Sequence, residues 1–346
     1  MSFARTVRLV TGCLLAAACS RAGGPSAAAE PAVGPDEVRA IVSALAADSM
    51  EGRRTGTPGS LRASRFLAGR MQAYGLQPAG DSGYFQRVSY ETAQGPEGPA
   101  LRLAPPGSAD TGASRVVDYN LIGLIRGTDP ALRNEAVVLG AHFDHIGIGK
   151  PVAGDSINNG ADDDASGVAT VLAAARALRA RPAKRTVVIL LTSGEESGVL
   201  GTQWYLERPA VPLANTVADL QVEMIGRPDT LVGAGKFWLT GFERSTMGEE
   251  LSEAGLPVVA DPRPEFNFFQ RSDNIVFARR GIPAHTLSSY GMHSDYHQPS
   301  DEVERIDFDH LARAAEMVSR AARIIADGPR PSWHPGGQPT SSPATH

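Results

Sequence analysis

What narrows the fold of this chain most is an alternation of short apolar runs with helical stretches from residue 120 onward. Asn120–Ile125, Ala136–Leu139 and Thr186–Leu191 are runs of four to six residues, and Asp219–Met224 and Gly281–Leu287 read as two more. Continuous runs of that length suit strands covered on both faces. Ser166–Arg179 and Phe308–Ile325 read as helices. Strand and helix in turn give an α/β domain, a three-layer sandwich with a mostly parallel mixed central sheet flanked by helices. Upstream, Asp36–Ser49 places Val38, Ile41, Val42 and Leu45 at helical spacing. Thr57-Pro58 and Gly75 bracket a further helix over Ser60–Tyr74. Residues 91–115, rich in Gly, Pro and Ala, read as a surface excursion.

Polar residues cluster where such sheets gather their sites, at the carboxyl ends of strands. Gly140-Ala-His-Phe-Asp-His145 follows the second run, and Gly160-Ala-Asp-Asp-Asp-Ala-Ser-Gly167 opens the long helix. Thr192-Ser-Gly-Glu-Glu-Ser-Gly198 follows the third run and Glu223-Met-Ile-Gly226 the fourth. His293-Ser-Asp-Tyr-His-Gln-Pro-Ser-Asp301 closes the series. Singly, each has a structural reading: a hydrogen-bonded His142–Asp144 pair, helix caps at Asp162–Asp164, a solvated Glu195-Glu196 loop, an ion-paired Glu223, a surface His297. Five such clusters together point elsewhere. Oxygen and imidazole donors without thiolate suit Zn, Mn or Co, and two metals can share a bridging carboxylate. Adjacent glutamates point different ways, so one can bind metal while the other works as a base.

Both cysteines, Cys13 and Cys19, fall in the first twenty residues. The body therefore has no disulfide framework, thiolate ligand or thiol nucleophile. Residues 1–19 carry Arg5 and Arg8 ahead of an apolar run, Leu9–Ala18. That run is about half the length needed to span a bilayer, so it reads as an export signal. Ala16, Ala17 and Ala18 before Cys19 resemble a bacterial lipoprotein processing box, with ordinary secretion as the other reading; Ser20 then implies an outer-membrane destination. The expected location is the cell envelope, facing periplasm or surface, or else periplasm or medium. Residues 20–35 read as a disordered tether, 36–327 as one domain and 328–346 as a disordered tail. With 33 Lys+Arg against 38 Asp+Glu, nothing marks a nucleic-acid binder.

The ordered series His142-x-Asp144, Asp162-Asp-Asp-Ala-Ser-Gly167, Glu195-Glu196, Glu223-Met and Tyr296-His297 resembles metallopeptidase family 28, the co-catalytic dizinc aminopeptidases related to glutamate carboxypeptidase and glutaminyl cyclase. Glu51-Gly-Arg-Arg-Thr-Gly-Thr57, Gly83-Tyr-Phe-Gln86, Asn120-Leu-Ile-Gly123 and Arg271-Ser-Asp273 extend the likeness over nearly all of 36–325. The resemblance implies the zinc exopeptidase (phosphorylase/hydrolase-like) fold and two Zn2+ ions, with Mn2+ or Co2+ as substitutes. It implies that His142 and Glu223 hold the first metal, Glu196 and His297 the second, and that Asp163 bridges them, with Asp162 as the other possibility. It makes Glu195 the general base on a water bridged between the ions, Tyr296 a hydrogen-bond donor to the developing oxyanion, and Asp144 the acceptor that holds the His142 ring. Many members have Asp where Glu223 stands and His where Asn274 stands. The implied activity is hydrolysis of N-terminal residues from peptides with a free N-terminus. Glutaminyl cyclisation or acidic-dipeptide carboxypeptidase action on the same fold is the alternative reaction. A non-catalytic surface lipoprotein is the alternative class. Membrane contact is expected only through a lipid on Cys19.

Overall fold

The computed structural model describes residues 1–2, 32–95, 98–105, 112 and 114–340. Cys13, Cys19 and the rest of the expected export signal after residue 2 lie outside them, as do residues 341–346. The helices are α1 (Pro35–Leu45), α2 (Pro58–Ala73), α3 (Gly167–Ala180), α4 (Leu200–Glu207), α5 (Thr246–Glu253), α6 (Asn274–Arg279) and α7 (Phe308–Asp327). The strands are β1 (Gln77–Pro78), β2 (Phe85–Gly95), β3 (Gly98–Leu103), β4 (Arg115–Ile125), β5 (Ala136–His142), β6 (Gly147–Val152), β7 (Asp155–Asn158), β8 (Thr186–Thr192), β9 (Thr216–Val222), β10 (Phe237–Leu239), β11 (Val258–Ala260) and β12 (Ala284–Ser288). β6 and β7 form a separate two-stranded hairpin.

The remaining strands make one mixed sheet in the order β11-β10-β12-β9-β5-β8-β4-β2-β3, with β1 beside β4. Its centre, β12-β9-β5-β8, is parallel. The wing β8-β4-β2-β3 is antiparallel. Along the central strands the pleat sends alternate residues to opposite faces. Val137, Leu139, Val187, Ile189 and Leu191 join a core with α1, α2, α3 and α7. Val138, Val188 and Leu190 join a second core under α4 and α6. Helices thus cover both faces, which is why the central strands are apolar throughout; each buried Val, Leu or Ile contributes about 1.5–3 kcal/mol. Thr57 caps α2 by accepting a hydrogen bond from Ser60 N at 3.4 Å.

Two expectations change. The stretch 91–115 is no excursion: its described residues finish β2, form β3 and start β4, a hairpin that widens the sheet. The tail is ordered as far as residue 340. Trp333 bridges to Ser245, its indole N–H donates to Gly281 O at 3.0 Å, and its ring meets Phe269 edge-on at 6.4 Å. At the other end Val33 is already buried, and Pro35 opens α1. Among the described residues no helix is long and apolar enough to cross a membrane.

Candidate metal centre

Parallel pairing puts the carboxyl ends of β5, β8, β9 and β12 at one edge of the sheet, and the polar loops converge there. His142 ends β5; Glu195 and Glu196 follow β8; Glu223 follows β9; His297 lies in the loop after β12. Asp163 sits in the wide helical turn Ala161–Ser166 that leads into α3. Potential ligand atoms of His142, Asp163 and Glu223 lie within 4.8 Å of one another, as do those of His145, Asp163, Glu196 and His297. Asp163 belongs to both groups, the position of a bridging carboxylate.

The donor set fits cations for a reason visible in its hydrogen bonds. His142 Nδ1 lies 3.1 Å from the main-chain oxygen of Asp144, so its proton is on Nδ1. Its buried Nε2 has no hydrogen-bond partner and faces Asp163 Oδ1 at 3.4 Å. In the neutral ring that nitrogen turns a lone pair toward the carboxylate, an arrangement that suits a cation between them. His297 Nε2, likewise without a hydrogen bond, lies 3.2 Å from both Asp163 Oδ2 and Glu196 Oε2.

The surroundings hold these groups in place. Arg53 is wholly buried and spends its guanidinium on main-chain oxygens: Phe143 at 2.7 Å, Leu45 at 2.8 Å, Asn159 at 2.6 Å and Gly160 at 2.9 Å. One side chain thereby pins the loops that carry His142 and Asp163. The aspartate triplet divides by hydrogen bonding. Asp162 accepts from Gly226 N at 2.7 Å and meets His293 Nε2 at 2.9 Å. Asp164 Oδ1 accepts from Gly167 N and Met224 N, both at 3.0 Å. These two are anchors, and Asp163 alone of the three joins the ligand groups.

Asp144 differs from its expected role. Its main-chain oxygen, not its carboxylate, holds the His142 ring; the carboxylate oxygen is 3.8 Å from Nδ1. That carboxylate instead accepts from Thr55 Oγ1 at 3.0 Å and from Glu195 N at 3.1 Å, which fixes the Glu195 loop. His145, which the sequence places only as flanking the site, belongs to the second donor group. Its ring is fully buried and its Nδ1 is 2.8 Å from Glu196 Oε1. The only sequence signal for it was its place two residues beyond Phe143 in the His142 loop. His285 is core, bonded to Ser245 and Thr240. Asn274 ties Phe269 O to Thr286.

Electrostatics follow from crowding. Burial pushes the Glu195 carboxyl well above the carboxylate range, with His142 opposing and Glu223 adding to the rise. Burial likewise raises Glu223 and Asp144 to about 7 each. Burial also works to raise Glu196, but His145 and His297 outweigh it and hold it below the usual range. Burial and the acids Asp163 and Glu196 raise the Tyr296 hydroxyl, so it stays a proton donor; its ring stacks on His297 at 3.9 Å.

Residues 120–322 match the profile of peptidase family M28. A leucine aminopeptidase 1 of Uncinocarpus reesii is 31% identical over 214 residues, covering 58% of this chain and 53% of that protein. The chain spans about half the length of the curated relatives it matches. Two solved structures share the fold. An aminopeptidase from Aneurinibacillus sp. strain AM-1 aligns with TM-score 0.62 at 17% identity, over 86% of this chain and 95% of that one. A zinc aminopeptidase from Bacillus subtilis aligns with TM-score 0.63 at 15% identity, over 86% and 96%. The profile match covers more than half of the described residues, and the chain belongs to peptidase family M28.

Proposed function

We propose that the protein is a zinc-dependent aminopeptidase that removes the first residue from peptides with a free N-terminus. The observation that carries this is the arrangement around Asp163: two donor groups share one carboxylate, and in each an imidazole nitrogen lies within 3.4 Å of that carboxylate. His142 and Glu223 would hold one zinc, Glu196 and His297 the other, and Asp163 both, with Mn2+ or Co2+ able to substitute. When bound, such ions supply Lewis-acid polarisation of the scissile carbonyl and activation of the attacking water.

Glu195 acts as general base and then as general acid. Its loop is held by Asp144, and burial, which raises its carboxyl, favours its taking a proton from water and returning it to the departing amine. Tyr296 keeps its hydroxyl proton and donates to the developing oxyanion. The free α-amine of the substrate is drawn to the carboxylates, which favours cleavage after the first residue. Export through residues 1–19, with a lipid on Cys19 tethering the domain to the cell envelope, belongs to the same reading. In zinc-loaded protein, Glu195→Gln should lower kcat by about 10²–10⁴ with zinc content unchanged. Activity within tenfold of wild type would remove Glu195 from the mechanism.

A further inference from the structure

We propose that the recess beside Glu223 selects an acidic side chain, glutamate or aspartate, on the first residue of the peptide. This rests on the aminopeptidase reading, because it assigns the recess to that residue's side chain.

The recess has aromatic walls. Trp238 and Phe268 pack at 5.3 Å, Phe268 meets Tyr290 edge-on at 6.1 Å, and Tyr290 lies 5.7 Å from Tyr296. Such walls take the methylenes of a side chain but do not say what ends it. The polar groups of the lining do. Ser288 Oγ donates to Met224 O at 3.0 Å, and Thr286 Oγ1 donates to Asn274 Oδ1 at 2.9 Å. Ser272 is hydrogen-bonded to Glu223. Those protons are committed. Beyond the Tyr290 and Tyr296 hydroxyls at the mouth, and set against the Glu223 carboxylate that faces the metal ligands, three further donors have no partner among the described residues. Trp238 is buried to 2% exposure, and its indole N–H has no partner. Thr240 Oγ1 accepts from Thr286 N at 2.9 Å, while its own proton meets no described acceptor. Arg271, the basic side chain of the lining, makes no ion pair among the described residues; its guanidinium lies 5.2 Å from the Phe268 ring centre. Its charge reaches the mouth of the site, where it opposes the effect of burial on both Tyr290 and Tyr296.

Away from Glu223, the unpartnered Trp238 N–H, the Thr240 hydroxyl and the exposed Arg271 guanidinium call for an acceptor. A carboxylate offers two oxygens and about four lone pairs, and a guanidinium binds it in a two-pronged pair. A carboxamide offers one acceptor oxygen. A leucine side chain fits the aromatic walls but leaves the Trp238 N–H and Arg271 unmatched, and sites built to hydrogen-bond reject ligands that lack the matching group. The expected order is therefore Glu and Asp, then Gln, then Leu.

The test compares kcat/KM of the zinc-loaded full chain on α-glutamyl, glutaminyl and leucyl 4-nitroanilides. The glutamyl substrate should be favoured over leucyl at least tenfold. Arg271→Met should lower the glutamyl-to-leucyl ratio at least tenfold. Trp238→Phe, which removes only the N–H donor from an aromatic wall, should lower it in the same direction. A wild-type preference for leucine, or an unchanged ratio in Arg271→Met, would overturn the proposal. Failure to turn over any of the three substrates would count against the aminopeptidase reading. Calorimetric binding of free L-glutamate and L-leucine would then decide the recess: tenfold tighter glutamate binding lost in Arg271→Met supports it, and equal binding overturns it.

Discussion

His145 shows what single residues in this site do beyond ligation. Its Nδ1 faces Glu196 Oε1 at 2.8 Å, and its Nε2 has no partner, so the proton sits on Nδ1 and is donated to the carboxylate. That hydrogen bond occupies one oxygen of Glu196 and leaves Oε2 beside His297. Partners of this kind orient a metal ligand, and their loss typically costs 10–100-fold in affinity. On the proposed two-zinc reading, His145→Ala should therefore weaken binding of the zinc beside Glu196 by about 10–100-fold, with the other unchanged. His145→Asn, which keeps a donor near Nδ1, should recover part of the loss. Competition against a chromophoric chelator measures both, and two unaltered affinities would leave His145 a packing residue. The same scale explains why the aspartate triplet was readable only through family likeness. Three consecutive acids ahead of a helix all look like caps. Their division into two anchors and one ligand depends on which main-chain N–H groups arrive from Gly226 and Met224, about sixty residues away.

Among the elements, those with a local signature were legible and those stabilised by docking were not. α1 and α2 announce themselves by apolar spacing and by the Thr57-Pro58 start, and β5, β8 and β9 by their apolar runs. The three-residue strands β10 and β11 carry no periodicity, because they are held by neighbours rather than by pattern. The β2–β3 hairpin is masked by a Gly/Pro/Ala-rich composition. The segment from Gly328 to Thr340 is the sharpest case. It cannot order itself, yet it lies along the body because Trp333 seats between Phe269 and His285, at 6.4 and 5.7 Å. His334 N adds a hydrogen bond to Arg244 O at 2.9 Å. Trp333 thus supplies the apolar fastening of a segment that Arg330 on Glu135 and Arg244 on Gly337 O also hold by polar bonds. Trp333→Ala should lower the unfolding free energy by about 1–2 kcal/mol, less than for a fully buried ring because Trp333 is only half-buried. Denaturant melts would read this, and protease cleavage within 328–340 should quicken in the variant. Equal stability and equal cleavage would show that the segment holds without its tryptophan.

For the molecule as a whole, the site and the fold are one cooperative object. Its donors come from the ends of β5, β8 and β9, the turn before α3 and the loop after β12, so sequence positions from 142 to 297 must be assembled together. The unfolded chain has no such cluster. The proposed zinc would therefore bind the folded state in preference, and its binding free energy would add to folding stability. The cost without zinc is also specific: Asp163, Glu195, Glu196 and Glu223 are crowded with little solvent to screen them, whereas the two apolar cores on either side of the sheet do not depend on the metal. Chelator-treated protein should accordingly keep its helical and sheet content but unfold at a lower temperature. Restoring free zinc to a hundred times its dissociation constant should return about 2.7 kcal/mol per site. Titration followed by differential scanning calorimetry should saturate at two equivalents. Saturation at one would limit the cation site to a single donor group, and an unchanged melting temperature after chelation would mean that the acid cluster is stable without zinc.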